Sequence, residues 1–244
     1  MPKRPSAKKI KIMVSSSVYQ KEPLLEQIYA TLDQFGYQVW MSHKGTVPLR
    51  PGKSAYENCL DAVRKCDIFF CMIFSRYGSG DSKVAKMAIT HRELLEAIKH
   101  DKIRYVAAHD NVVAARRFLK DLDYDTKAKR DTLTLKKGAQ LIDDLRLIDM
   151  YEAATREDIP EVDDRTDNWV QAFKKDADLL LYVSQQFGNY QDALRLMHDK
   201  KIDEHRKKAD RQAQAKGQRS RPKARRKAAR AKKAPISRHV GKAG

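Results

Sequence analysis

Residues 67–74 read DIFFCMIF, an apolar run with no polar alternation. A strand that is apolar on both faces belongs in the middle of a sheet covered on both sides, which is the setting of parallel α/β architectures. The flanking sequence repeats that logic. Upstream, SAYENCLDAVRKC (54–66) places Ala55, Cys59, Ala62, Val63 and Cys66 on one helical face, and YQVWM (37–41) before it reads as another strand. Further out, EPLLEQIYATLDQFG (22–36) carries Leu24, Leu25, Ile28 and Leu32 at helical spacing, with Gly36 placed as its stop, and KIKIMV (9–14) is a first strand. Downstream, AITHRELLEAI reads as a helix and IRYVAAH (103–109) as a fourth strand. Strand and helix therefore alternate from residue 9 onward, and a flavodoxin-like, doubly wound α/β sheet is expected.

Beyond His109 the periodicity weakens. NVVAARRFLKDLDYDTKAKRDTLTLKKG (111–138) offers one helix and then a charged surface loop or hairpin. DLRLIDMYE (144–152) is expected as the fifth strand, and one or two helices follow from Trp169, with Gly188 and Asn189 as a break. Trp169 itself is expected to pack. The division that follows is a basic arm at 1–8, an α/β domain at 9–152, a helical extension at 153–205, and a basic tail at 206–244. That tail holds 16 Lys or Arg against Asp210 alone, with too few apolar residues to repay ordering, so disorder is expected there.

The net charge of +18 thus sits at the chain ends, and residues 12–205 sum to −2. A basic tail without aromatics makes phosphate contacts with no sequence readout, so non-specific nucleic acid is an expected partner through 206–244; a solubilising extension is the alternative. Cys59, Cys66 and Cys71 are odd in number and match no zinc spacing, which indicates a reducing, cytoplasmic setting. The apolar run at 68–74 is far short of the roughly 20 residues that span a bilayer. No membrane partner and no metal is expected.

In an open parallel sheet, ligands bind beyond the carboxyl ends of the strands, where strand order reverses. That rule selects SSSVY (15–19), SHKGTVPLRPGKS (42–54), SRYGSGDS (75–82) and the helix start near Glu93. Ser15, Ser16, Ser17, Lys44, Arg50, Lys53 and Arg76 are the types that hold a phosphate or ribose, and the serines equally suit turns and caps. Glu93 lacks a cation at i±4 and has Ile89 and Ala97 there instead. THRE (90–93) fits a capping box with Thr90 as N-cap; an oriented, partly desolvated carboxyl at that place also suits chemistry. His91 and His109 are expected as surface or strand-end residues. Asp143, Asp144 and Asp149 lack metal-ligand spacing.

The order of KIMVSSSVY, GYQVW, SHKGTVP, RYGSG and AITHRELLEAI resembles a bacterial TIR-like (Toll/interleukin-1 receptor-like) domain family over about residues 9–109, continuing through DDLRLIDMYE and RTDNWVQ to about 175. The resemblance implies a TIR-type flavodoxin-like fold. It also implies cleavage of an N-glycosidic bond in NAD or a related nucleotide, as in TIR hydrolases and nucleoside deoxyribosyltransferases, with NAD as substrate rather than cofactor. On that resemblance Glu93 is the catalytic carboxylate, which would stabilise or trap an oxocarbenium-like ribosyl centre. Ser15, Ser16 and Ser17 would face ribose or phosphate, Trp40 or Tyr77 would pack on a ring, and Lys44 and Arg76 would hold the diphosphate. A defence or stress effector, acting as a homo-oligomer or with a partner protein, is the implied setting; a non-catalytic nucleotide-sensing or interaction module is the alternative. AITHRE departs from the family pattern, in which TIR hydrolases place a tryptophan.

Overall fold

A computed structural model describes residues 9–18, 20–78 and 87–219. Five strands form one all-parallel sheet: β1 (Lys11–Ser16), β2 (Gln38–Trp40), β3 (Ile68–Ile73), β4 (Ile103–His109) and β5 (Val170–Phe173). Their order, β2-β1-β3-β4-β5, is the flavodoxin-like order, and it reverses direction between β1 and β3. β3 is buried along its whole length, as its unbroken apolar run requires.

Helices cover both faces. α1 (Glu22–Gln34) and α7 (Asp176–Phe187) pack on one, where Phe187 meets Phe70 at 5.4 Å and Tyr105 at 4.8 Å between ring centroids. α2 (Ala55–Lys65), α3 (Ile89–Lys99), α4 (Asp110–Asp121) and α6 (Arg146–Ala154) surround the other core, built on Met13, Phe69, Cys71, Val106 and Ala108. A short helix, α5 (Lys127–Arg130), lies in the connection between α4 and α6.

Two sequence expectations change here. DLRLIDMYE is helix α6, not a strand, and its buried residues Leu147, Ile148, Met150 and Ala154 follow a helical period. The alternation of Leu145, Leu147, Asp149 and Tyr151 mimics a strand only locally. The fifth strand is instead VQAF, which the sequence reading placed inside a helix. The Asp178 carboxylate accepts from the Lys174 and Lys175 amides at 3.1 and 2.9 Å, so α7 begins only at Asp176 and leaves four residues free to join the sheet edge.

The region expected as a charged surface loop is anchored by a buried arginine. Arg130 is 2% exposed and bonds Asp149 at 2.8 Å and Glu152 at 2.6 Å from one nitrogen, while Arg116 bonds Glu152 at 3.3 Å. Trp169, expected to pack, is 74% exposed.

The chain divides into two compact units at Leu194. Residues 170–187, assigned from sequence to a separate extension, therefore lie within the sheet unit. α8 (Tyr190–Arg219) continues past residue 205, because Ala, Lys, Arg and Gln favour helix and no proline occurs before Pro222. Residues 1–8 and 220–244 lie outside the described residues. Among the described residues no helix is long and apolar enough to cross a membrane.

Candidate functional site

The strand order makes one crevice at the carboxyl ends of β1 and β3. Side chains alternate along β1, so Ser15 points to the same face as Met13, toward α2 and α3. There its hydroxyl donates to Glu93 Oε2. The Cys59 thiol of α2 lies beside the Glu93 carboxyl, and the Cys71 thiol of β3 lies beside Ser15. Residues of β1, β3, α2 and α3 thus surround this carboxyl.

Glu93 is 4% exposed. Burial pushes its carboxyl up to about 7, and the Ser15 hydroxyl and the nearby Cys59 thiol pull it back only in part. The thiols respond to the same dry surroundings, Cys59 being pushed up to about 12 and Cys71 higher still.

The capping-box alternative for Glu93 is not what the structure shows. Ala88, not Thr90, is the N-cap of α3, and no side chain caps the helix. The Ala88 amide donates instead to the Tyr77 hydroxyl at 3.3 Å. Thr90 is buried one step inside the helix, so Glu93 is freed to turn toward Ser15.

One turn before Glu93 on α3, at Thr90, lies a shallow surface dent of about 160 Å³ counting open solvent, lined also by Ser17, Phe74, Arg76 and Tyr77, with Leu147 and Met150 of α6 at its edge. Gly78 completes the turn after β3 at φ +87°, and a Cβ there would come within 3.2 Å of Ser17 Cβ, so only glycine fits. Tyr77 is held on every side. Its hydroxyl meets His91 Nδ1 at 2.8 Å, its amide donates to Asp143 at 2.8 Å, and the Arg146 guanidinium lies 4.4 Å from its ring centroid. His91 is therefore buried, against the surface position expected for it, and burial pushes it down to about 4, which keeps it neutral. His109 caps α4, its Nδ1 accepting from the Asn111 amide at 3.2 Å.

The structure pairs Ser15 with Glu93, gathers Ser17, Arg76 and Tyr77 around the shallow opening, and places the rest elsewhere. Ser16 takes the alternate direction along β1. Trp40 is 4% exposed inside the core and presents no free face for a ring. Lys44 reaches Glu26 of α1 at 2.5 Å, and Lys53 reaches Asp61 of α2 at 2.6 Å. Ser79 to Ser82 of the third loop lie outside the described residues. Cys59 and Cys71 were missed as neighbours of Glu93; their one signal was placement on apolar faces beside the central strand. Among the described residues no group of His, Cys, Asp or Glu is disposed to hold a metal ion.

Fold and site together define a doubly wound α/β domain with an acid buried at its topological switch point. The chain belongs to the family described as Domain of unknown function (DUF4062), whose model matches residues 11–187. No curated protein matches the chain. Among solved structures, a match is found to the TIR domains of the activated Roq1 resistosome directly recognizing the pathogen effector XopQ, with 14% identity, coverage of 51% of this chain and 76% of that one, and a TM-score of 0.36.

Proposed function

We propose that this is a TIR-like, nucleotide-directed module whose switch-point crevice takes the ribose side of NAD or a related nucleotide. Glu93 is the acid that acts on the N-glycosidic bond. The observation that carries the reading is the Glu93 carboxyl itself: buried, bonded by the Ser15 hydroxyl rather than by a cation, and poised to change protonation near neutrality. A carboxyl kept in that condition beside a ligand crevice is the usual preparation for acid or nucleophilic work on a sugar. Ser15 orients it, while Ser17 and Arg76 line the opening where phosphate or ribose would enter.

The closed state favours a second reading. Glu93 is sealed, and the opening encloses about 0 Å³, against the roughly 300 Å³ at which ligand pockets begin. Hydrolysis therefore requires the crevice to open; if it never does, the domain is a non-catalytic interaction or sensing module. Calorimetry of the full chain with NAD and with ADP-ribose, beside NAD consumption by wild type and Glu93→Gln, separates the two. Binding with turnover lost in the variant supports hydrolysis. Binding without turnover supports sensing, and neither binding nor turnover removes the nucleotide reading.

A further inference from the structure

β5 closes one edge of the sheet, and among the described residues no strand pairs with its outer side. An open edge is a row of backbone donors and acceptors that a further strand can complete. The residues around it are exposed where such a strand would lie. Trp169 at the head of β5 is 74% exposed, Ala172 in its middle is exposed, and Gln171 bends back onto the Ala172 carbonyl at 2.9 Å. Leu181 on α7, the helix packed against β5, is exposed as well. Charge divides along the strand. Asp163, Asp164 and Asp167 precede it with Arg165 among them, and Arg104 approaches Asp167 only to 3.7 Å. Lys174 and Lys175 follow it, ahead of Asp176 and Asp178. Lys21 pairs with Asp176 at 3.3 Å and Asp178 accepts the two lysine amides, while neither lysine ammonium enters an ion pair among the described residues.

We infer that β5 is the seat of a second copy of this chain, joined edge to edge and antiparallel about a two-fold axis at Gln171. The strand is complementary to its own reverse. Such an axis sets Val170 opposite Ala172, Trp169 opposite Phe173, Asn168 opposite Lys174 and Asp167 opposite Lys175, and each of these contacts occurs twice. Moving the axis by one residue loses the match. About Val170 it would set Arg165 against Lys175, and about Ala172 it would set Asp167 against Ala177. Residues 12–205 sum to −2, so two folded bodies meet without strong repulsion, the excess charge lying at the chain ends. Trp169 is the apolar anchor of the pairing, since four strand residues alone bury little side-chain surface.

The test uses the full chain in sedimentation at rising concentration, with tryptophan emission beside it. Trp40 is buried and Trp169 exposed, so a blue shift that grows with the dimer fraction reports Trp169. Trp169→Ser should weaken the dimer roughly 100-fold. Lys175→Asp, which sets carboxylates face to face at both ends of the pairing, should weaken it roughly 30-fold. Aspartate also suits the N-cap of α7, so that variant keeps its fold. Register is read by cross-linking. Gln171→Cys brings two thiols together at the axis, with Cα atoms about 4.5–5.5 Å apart, and should form an intermolecular disulfide under oxidised glutathione; Ala172→Cys, set against Val170, should link far less. Wild type, whose Cys59 is half-buried and whose Cys66 and Cys71 are buried, is the blank. A monomer at every concentration overturns the inference and leaves the edge to another partner. A dimer that both weakening variants keep, or that links equally through positions 171 and 172, places the interface elsewhere on the chain and overturns it as well.

Discussion

Replacing Glu93 with glutamine should change how stability depends on pH, by an amount that follows from the site. The folded-state carboxyl is raised to about 7 by burial, against an ordinary value near 4.5. A raised acid favours the folded state fully below the unfolded value, and that contribution drains away as pH climbs toward the folded value. The full loss is about 3 kcal/mol, of which roughly 2.5 kcal/mol falls between about pH 5 and about pH 8. Glutamine keeps the shape and an acceptor for Ser15 but cannot ionise. Its amide N–H groups find no carboxylate role and cost about 1–3 kcal/mol at every pH. The variant should therefore be the less stable protein near pH 5 and should recover relative to wild type by roughly 2.5 kcal/mol near pH 8. Urea titrations followed by far-ultraviolet circular dichroism at both pH values give the difference directly, and every other titrating group cancels between two proteins that differ at one site. If the two stabilities run parallel to within about 0.5 kcal/mol, Glu93 is not a buried acid with a raised titration, and the argument for its readiness fails.

Arg130→Met should lower stability by about 3 kcal/mol, since it strands the Asp149 and Glu152 carboxylates beneath the α4–α6 connection; a calorimetric change under about 1 kcal/mol would mean the network is ornamental. All three thiols should label slowly with an aromatic disulfide reagent near pH 8 and quickly in urea, because burial raises each of them and withholds the thiolate. Cys59 is only half-buried, so a fast phase of one equivalent from the native chain would mean that its thiol is not raised as its surroundings require, and two equivalents would expose Cys66 or Cys71 as well.

The two halves of the chain differ in how openly they declare themselves. Through His109, each element has a buried face large enough to show as periodicity, and strands at 11–16, 38–40, 68–73 and 103–109 fall where alternating pattern and helix stops put them. Right-handed helical crossovers limit the strand orders that such a pattern can take. In the second half the signals are short. A four-residue edge strand and a nine-residue helix each offer too few positions for the two periods to be told apart, and VQAF and RLIDMYEAA exchange roles as a result.

The chain's own residues therefore determined the doubly wound sheet, the carboxyl ends of its strands as the place for a ligand, and Glu93 as a carboxyl with no cation one turn away on its helix. What only the tertiary structure decided is the company that carboxyl keeps. Ser15 and Glu93 lie 78 residues apart and meet because a period-two strand and a period-3.6 helix happen to direct them into the same seam. Desolvation there, and not any neighbour in sequence, sets the titration of Glu93, while the same packing buries Trp40 and ties Lys44 and Lys53 to other carboxylates. Burial and electrostatic environment depend on three-dimensional neighbours, so no local pattern could have announced them.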